Sequence, residues 1–221
     1  MRILVIIKRK EKYNKIDKSI VTYLYPESKI SEQFRTIQTN IKFSLAEQES
    51  HVFLITSPGD GEGKSITTVN LAVSMAQQKA KVLIIDANIR KPSLHLFFKA
   101  SNSTGLTDIL TGKVSFYDAI QHTGIGRLDL IGSGIIKYNP VELLGSSMFQ
   151  EVLKTALKSY DVILIDSNSL LEVTDTKLLV NQCDGVILVI QNGKTKFEKA
   201  AEAKKVLEFA KANLIGVVMN K

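Results

Sequence analysis

The chain predicts a single α/β domain, a mostly parallel sheet flanked by helices on both faces, with an added N-terminal helix. Three observations carry this. From residue 52 onward, short β-rich runs alternate with longer stretches of helical periodicity, the signature of repeated strand–helix units. Several runs are apolar nearly throughout, as in Val82–Ile85, Val162–Ile165 and Val186–Ile190, which suits parallel strands buried on both faces. Between the first run and the first long helical stretch lies a loop with Gly59, Gly61 and Gly63 at alternate positions. The length of 221 residues is ample for one domain with a sizeable core. Hydrophobic content of 44% and charged content of 23% are ordinary for a globular protein.

The elements follow in order. Residues 1–26 read as a basic tail. Arg2, Lys8, Arg9, Lys10, Lys12, Lys15 and Lys18, against Glu11 and Asp17, carry most of the net charge of +7. Such a tail can contact an anionic membrane or an acidic partner, or simply aid solubility. No aromatic interleaving or motif supports nucleic acid as a partner. The apolar stretch Ile3 to Ile7 is far short of the roughly 20 residues a membrane span needs, and it precedes its positive charges, unlike a secretory signal. A helix is predicted over 27–47, with apolar positions at Ile30, Phe34, Ile37 and Ile41, and Ser28 or Ser31 as cap. Strands are predicted at 52–57, 81–86, 127–132, 160–166, 185–191 and 213–219, and helices at 64–79, 146–158, 173–181 and 195–212. The folded body is thus 27–221, with 52–221 as its α/β core. Cys183 is the lone cysteine, which excludes an internal disulfide framework and points to a reducing compartment. His51, His95 and His122 lack ligand spacing for a structural zinc.

The chemistry concentrates where strands end. Alternate glycines let backbone N–H groups turn around a phosphate, Lys64 supplies a cation for the outer phosphates, and Ser65 offers a hydroxyl to Mg²⁺. The helix that follows aims its positive end at the same anion. The stretch Gly59, Asp60, Gly61, Glu62, Gly63, Lys64, Ser65 and Ile66 is therefore the nucleotide-binding candidate, although Pro58 stands where the strict pattern wants glycine. A glycine turn without a ligand is the competing reading, and the flanking strand, helix and Lys-Ser pair disfavour it. Asp86 ends the run KVLIID and suits either Mg²⁺ held through water and acceptance of a proton, or a turn cap. Asp166 ends YDVILID, a Walker B pattern whose carboxylate helps position Mg²⁺. Catalysis is assigned to Lys64, Asp86 and Asp166, and metal binding to Ser65, Asp86 and Asp166. Asn220 ends the last run and can donate and accept at the edge of a base, or serve as an ordinary turn residue.

These pieces, in the order ISEQFRTIQTNIKFS, SPGDGEGKS, LIIDANIRKP, YNPVELLGS and VILIDS, resemble the bacterial tyrosine kinases of capsule and exopolysaccharide synthesis, within the deviant P-loop class of septum-site and partition ATPases. The resemblance spans roughly residues 28–221. It implies ATP and Mg²⁺ as cofactors and tyrosine on proteins as acceptor. It further implies a separate membrane protein with a cytoplasmic tail as activator, and a cytoplasmic location at the inner face of the plasma membrane. It also implies a homo-oligomer through Glu32 and Arg35. The chain differs from the family pattern at Asn88, where a second acid is usual. It differs again at Ser167, Asn168 and Ser169, where Thr-Pro-Pro is common, and at Gln38, where a second arginine is usual. The tyrosine cluster usual after the last strand is absent, which leaves other proteins, or Tyr23 and Tyr25, as acceptors. The alternatives are a nucleotide-binding regulator of polysaccharide export with weak or no kinase activity, and a partition-type ATPase switch. SEQFRT and NPVELLGS argue against the switch.

Overall fold

The computed structural model describes residues 3–7, 19–44 and 51–221. Its described strands form one eight-stranded sheet: β1 (Ile3–Ile7), β2 (His51–Thr56), β3 (Val82–Asp86), β4 (Gln121–His122), β5 (Leu128–Ile131), β6 (Val162–Asp166), β7 (Gly185–Gln191) and β8 (Leu214–Asn220). Their order across the sheet is β1-β8-β7-β2-β6-β3-β5-β4. All neighbours run parallel except β4, which lies antiparallel on β5. The six predicted strands are all present, each within about two residues of its expected bounds.

Alternation along the buried strands divides the core into two layers. Phe53 and Ile55 of β2 face one way, with Phe34, Ile37 and Ile41 of α2 (Lys29–Ser44), Val69 and Val73 of α3 (Lys64–Gln77) and Leu94 of α4 (Leu94–Phe98). Val52 and Leu54 face the other way, towards α5 (Leu106–Leu110), α6 (Pro140–Leu144), α7 (Ser147–Leu157), α8 (Asp175–Val180) and α9 (Phe197–Phe209). Helices therefore cover both faces, as the apolar runs required.

The segment read as a tail contributes more than charge. Ile3–Ile7 is an edge strand running parallel to β8, with Ile7 opposite Asn220. A short helix α1 (Val21–Leu24) packs on the body with Ile20, Val21 and Thr22 buried. Five apolar residues in a row are a strand's worth of hydrophobic surface, and an open sheet edge beside β8 gives them a partner. The basic cluster at residues 2 and 8–18, and the predicted helix end at 45–47, lie outside the described residues. Helix α2 begins as expected at Ser28, whose hydroxyl accepts the Ser31 amide at 3.2 Å. The smaller α1, α4, α5 and α6 were not foreseen, since four or five residues show no helical period.

Candidate functional site

The central strand β2 lies between β6 and β7, so the loop 57–63 leaves the middle of the sheet at its carboxyl edge, where open parallel sheets bind ligands. Gly61 and Gly63 take left-handed φ values of 69° and 94°, and Gly63 caps helix α3 in that conformation. A Cβ at Gly63 would stand 2.2 Å from Asn220 Nδ2, so the close approach of β8 to the loop requires glycine there. Gly59 has no such φ. Its amide instead donates to Glu62 Oε2 at 3.0 Å, and the Asp60 amide donates to Glu172 Oε1 at 3.1 Å.

Lys64, at the start of α3, is only 6% exposed. Its ammonium donates to Ser57 Oγ and Ser169 Oγ, each at 3.1 Å, and lies 3.9 Å from Asp60 Oδ1. Burial pushes its pKa down, while the charges of Asp166, Asp60, Glu62 and Glu172 favour the protonated form. The next residue, Ser65, donates to Asp166 Oδ2 at 2.6 Å, and Thr68 donates to Asp166 Oδ1 at 3.3 Å. Asp60 is braced from outside by Lys91 Nζ at 2.7 Å, and the hydrogen bond from Lys91 is the main reason its pKa is lowered.

Asp86 and Asp166 are opposed residues in the register of β3 and β6, both completely buried. Burial, and then the charge of Asp166, raises the Asp86 pKa to about 7. Burial raises Asp166 to about 6 against the lowering effect of Ser65, Lys64 and Thr68. Asp86 also fills the cap role weighed for it. Its Oδ1 accepts the Asn88 amide at 3.2 Å, and its Oδ2 accepts the Ser93 and Leu94 amides at 3.0 and 2.9 Å. Two roles are compatible, because a carboxylate has about four acceptor positions and three are taken.

Asn88 is nearly buried, and its Oδ1 accepts the Lys91 amide at 3.2 Å, so it shapes the turn 88–91. The same turn is tied to α8 by Arg90, which forms a two-pronged pair with buried Asp175 at 2.7 and 3.0 Å. Asn220 lies at the end of β8 with its Nδ2 donating to the Glu62 carbonyl at 3.2 Å. Ile66 follows in the first turn of α3 and lines a small apolar-walled recess together with Asn220 and Phe34.

The fold thus gathers Gly59 to Ile66, Asp86, Asp166 and Asn220 at one edge. Glu32 and Arg35 are elsewhere, on α2, paired with each other at 2.6 Å. Gln38 is buried rather than on an open face, its Nε2 donating to Gln78 Oε1 at 3.0 Å. Sequence reasoning missed Ser57, Thr68, Ser169, Glu172, Lys194 and Thr195. Thr68 was within reach, being one helical turn beyond Ser65. Lys194 donates to the Asp60 carbonyl at 2.7 Å and Thr195 to Glu62 Oε1 at 2.6 Å. These contacts arrive from a loop more than 130 residues away, with no local pattern to announce them.

The donor set fits the groups implied. Hydroxyl and carboxylate oxygens are hard ligands of the kind Mg²⁺ takes together with waters and phosphates, and the glycine cradle beside a buried ammonium is shaped for an anion. Among the described residues, no helix is long and apolar enough to cross a membrane.

The chain matches the family model described as AAA domain over residues 50–213. It is 42% identical over 212 residues to tyrosine-protein kinase YwqD of Bacillus subtilis (strain 168), covering 96% of this chain and 90% of the relative. Among solved structures, the chimerical protein CapA2B2 superposes with a TM-score of 0.91 at 34% identity, covering 99% of this chain and 93% of that one. The kinase domain of Escherichia coli tyrosine kinase ETK gives a TM-score of 0.90 at 28% identity, covering 99% and 89%.

Proposed function

The chain belongs to the bacterial tyrosine-protein kinases of the AAA-domain family, and on that premise we propose that it moves the terminal phosphoryl group of ATP to tyrosine hydroxyls of proteins in the control of capsular or extracellular polysaccharide synthesis. The observation that carries the reading is the pair Asp86 and Asp166, register-matched on adjacent strands, with Ser65 bonded to Asp166 and the Lys64 charge acting on Asp166.

Each residue then has work suited to its chemistry. The loop amides from Gly61 onward and the Lys64 ammonium hold the outer phosphates. Ser65 and Asp166 would hold Mg²⁺, with Asp86 reaching it only through water, and the ion would supply charge neutralisation at the phosphates. Asp86 orients the incoming tyrosine and takes its proton as the tyrosine oxygen bonds to phosphorus and the bond to the departing diphosphate breaks. Its remaining acceptor position and its pKa near 7 suit a base at neutral pH. The Asn220 Oδ1 serves the base edge, its Nδ2 being held by Glu62. Phosphoryl transfer asks mainly for positioning and charge stabilisation, which this constellation provides.

Lys64→Met is expected to lower transfer of radiolabel from ATP to tyrosine by on the order of 100-fold or more, measured with an activator's cytoplasmic tail present. Undiminished labelling would remove the assignment. Asn88 favours a second reading, a nucleotide-binding regulator with little kinase activity, because a carboxamide engaged with Lys91 supplies neither a base nor a charge. ATP binding without phosphotyrosine on any added substrate is its expected signature.

The proposal includes a membrane activator with a cytoplasmic tail, residence at the inner membrane face aided by the basic segment, and self-association through α2. Tyr23 and Tyr25, each 50% exposed, are available as acceptors. Sedimentation velocity of Glu32→Ala and Arg35→Ala variants tests the self-association.

A further inference from the structure

The Lys64 ammonium has three N–H donors, and two of them are committed to hydroxyls. One is Ser57 Oγ, in its own loop, and the other is Ser169 Oγ, which the β6–α8 loop brings in across 105 residues of sequence. Neither serine is a passive acceptor. Ser57 donates onward to the Gly59 carbonyl at 2.6 Å, and Ser169 donates onward to Asp60 Oδ1 at 2.9 Å. Ser169 is 1% exposed, so water does not substitute for its oxygen. With two hydrogen bonds fixed in direction, the third N–H of Lys64 is aimed by geometry rather than left to rotate.

We infer that Ser169 is a positioning residue that seats the Lys64 ammonium, through the relay Lys64–Ser169–Asp60, so that its remaining N–H meets the transferring phosphoryl group. A lysine on a four-carbon stem has wide rotamer freedom, and a single hydroxyl from Ser57 leaves it one axis to swing about. The second hydroxyl removes that axis. Asp60 completes the relay, fixing the Ser169 hydroxyl proton outward and so leaving an oxygen lone pair for Lys64. Lys91, 2.7 Å from Asp60 Oδ2, holds the carboxylate in turn.

The inference rests on the phosphate-site reading of Lys64, and two measurements separate the two. The first needs no nucleotide. Acetylation of Lys64 by acetic anhydride, followed by mass spectrometry on the full chain, is expected to run several-fold faster in Ser169→Ala. Ser169→Thr, which keeps the hydroxyl, should restore the slow rate. The second is kinase turnover, where Ser169→Ala is expected to lower kcat about tenfold, the kinetic equivalent of one hydrogen bond to a charged group, with KM for ATP changed far less. Asp60→Asn should reproduce part of the kcat loss, and the double variant should be no worse than the single ones, since they break one relay. Equal acetylation rates in wild type and Ser169→Ala would overturn the inference, as would failure of threonine to rescue either readout. Absence of ATP binding by the wild-type chain would instead overturn the reading of the site, while the acetylation rates would still decide whether Ser169 seats Lys64.

Discussion

At the scale of single residues, the candidate site is built around buried carboxyl groups. Asp86 and Asp166 are buried side by side with folded-state pKa values of about 7 and about 6, above the ordinary 3.8. Between those limits the native chain binds more protons than the unfolded one, so its stability falls as pH rises from about 4 to about 7. The metal-free protein is therefore expected to melt at a lower temperature at pH 8 than at pH 5. Asp166→Asn should flatten that dependence, since Ser65 and Thr68 can turn their hydroxyls to suit an amide. Saturating Mg²⁺ and nucleotide should reverse it in the wild type alone. Differential scanning calorimetry at the two pH values checks this, and a melting temperature that rises towards pH 8 without ligand would contradict it. The residues that sequence made legible here, Lys64, Ser65, Asp86 and Asp166, share one property. Each sits at a fixed offset from a strand end, so local pattern locates it. Lys194 and Thr195 reach the same site from a loop more than 130 residues away, and only packing could find them.

Single elements show where a pattern of apolar residues falls short. Helix α3 follows the glycine loop and was clear from its start signal, but its hold on the N-terminal segment was not. Asn70 spends its full hydrogen-bonding capacity on that hold. Its Nδ2 donates to the Ser19 and Ile66 carbonyls at 3.0 and 2.9 Å, and its Oδ1 accepts the Thr22 amide and hydroxyl at 3.0 and 3.1 Å. Asn70→Ala removes the acceptor of the buried Thr22 amide and is expected to cost roughly 1–3 kcal/mol on the scale of an unsatisfied buried group. Urea denaturation measures it, and a loss below about 0.5 kcal/mol would mean that α1 is not clasped to α3 through this side chain. The same reasoning explains Gln38. It stands where the resemblance has a second arginine, and it lies buried. Its Oε1 accepts the Ser74 hydroxyl at 3.4 Å, and its Nε2 reaches Gln78. An arginine there would bring an unpaired charge into the α2–α3 contact.

For the whole molecule, the sheet order explains both rigidity and the placing of chemistry. Strands β2, β6 and β3 are neighbours at the centre, their apolar residues buried apart from the partly buried Val162, and they end in the glycine-rich loop, Asp166 and Asp86. Amide hydrogen exchange is expected to be slowest in these three strands and fastest in the edge strands β1 and β4, because exchange follows burial and ladder pairing. Exchange in β6 as fast as in β4 would contradict a rigid frame beneath the site. The alternation of buried runs and helical stretches, the phosphate loop and the two strand-end aspartates were all determined by the sequence, because each depends on residues within one local window. Tertiary structure alone decided that Ile3–Ile7 completes the sheet beside β8, that Asp86 caps its own turn while facing Asp166, and that Ser169 and Asp60 seat Lys64. The physical reason is the same in each case. A hydrogen bond or strand pair between distant residues depends on which surfaces the sheet order brings together, and no local periodicity encodes that.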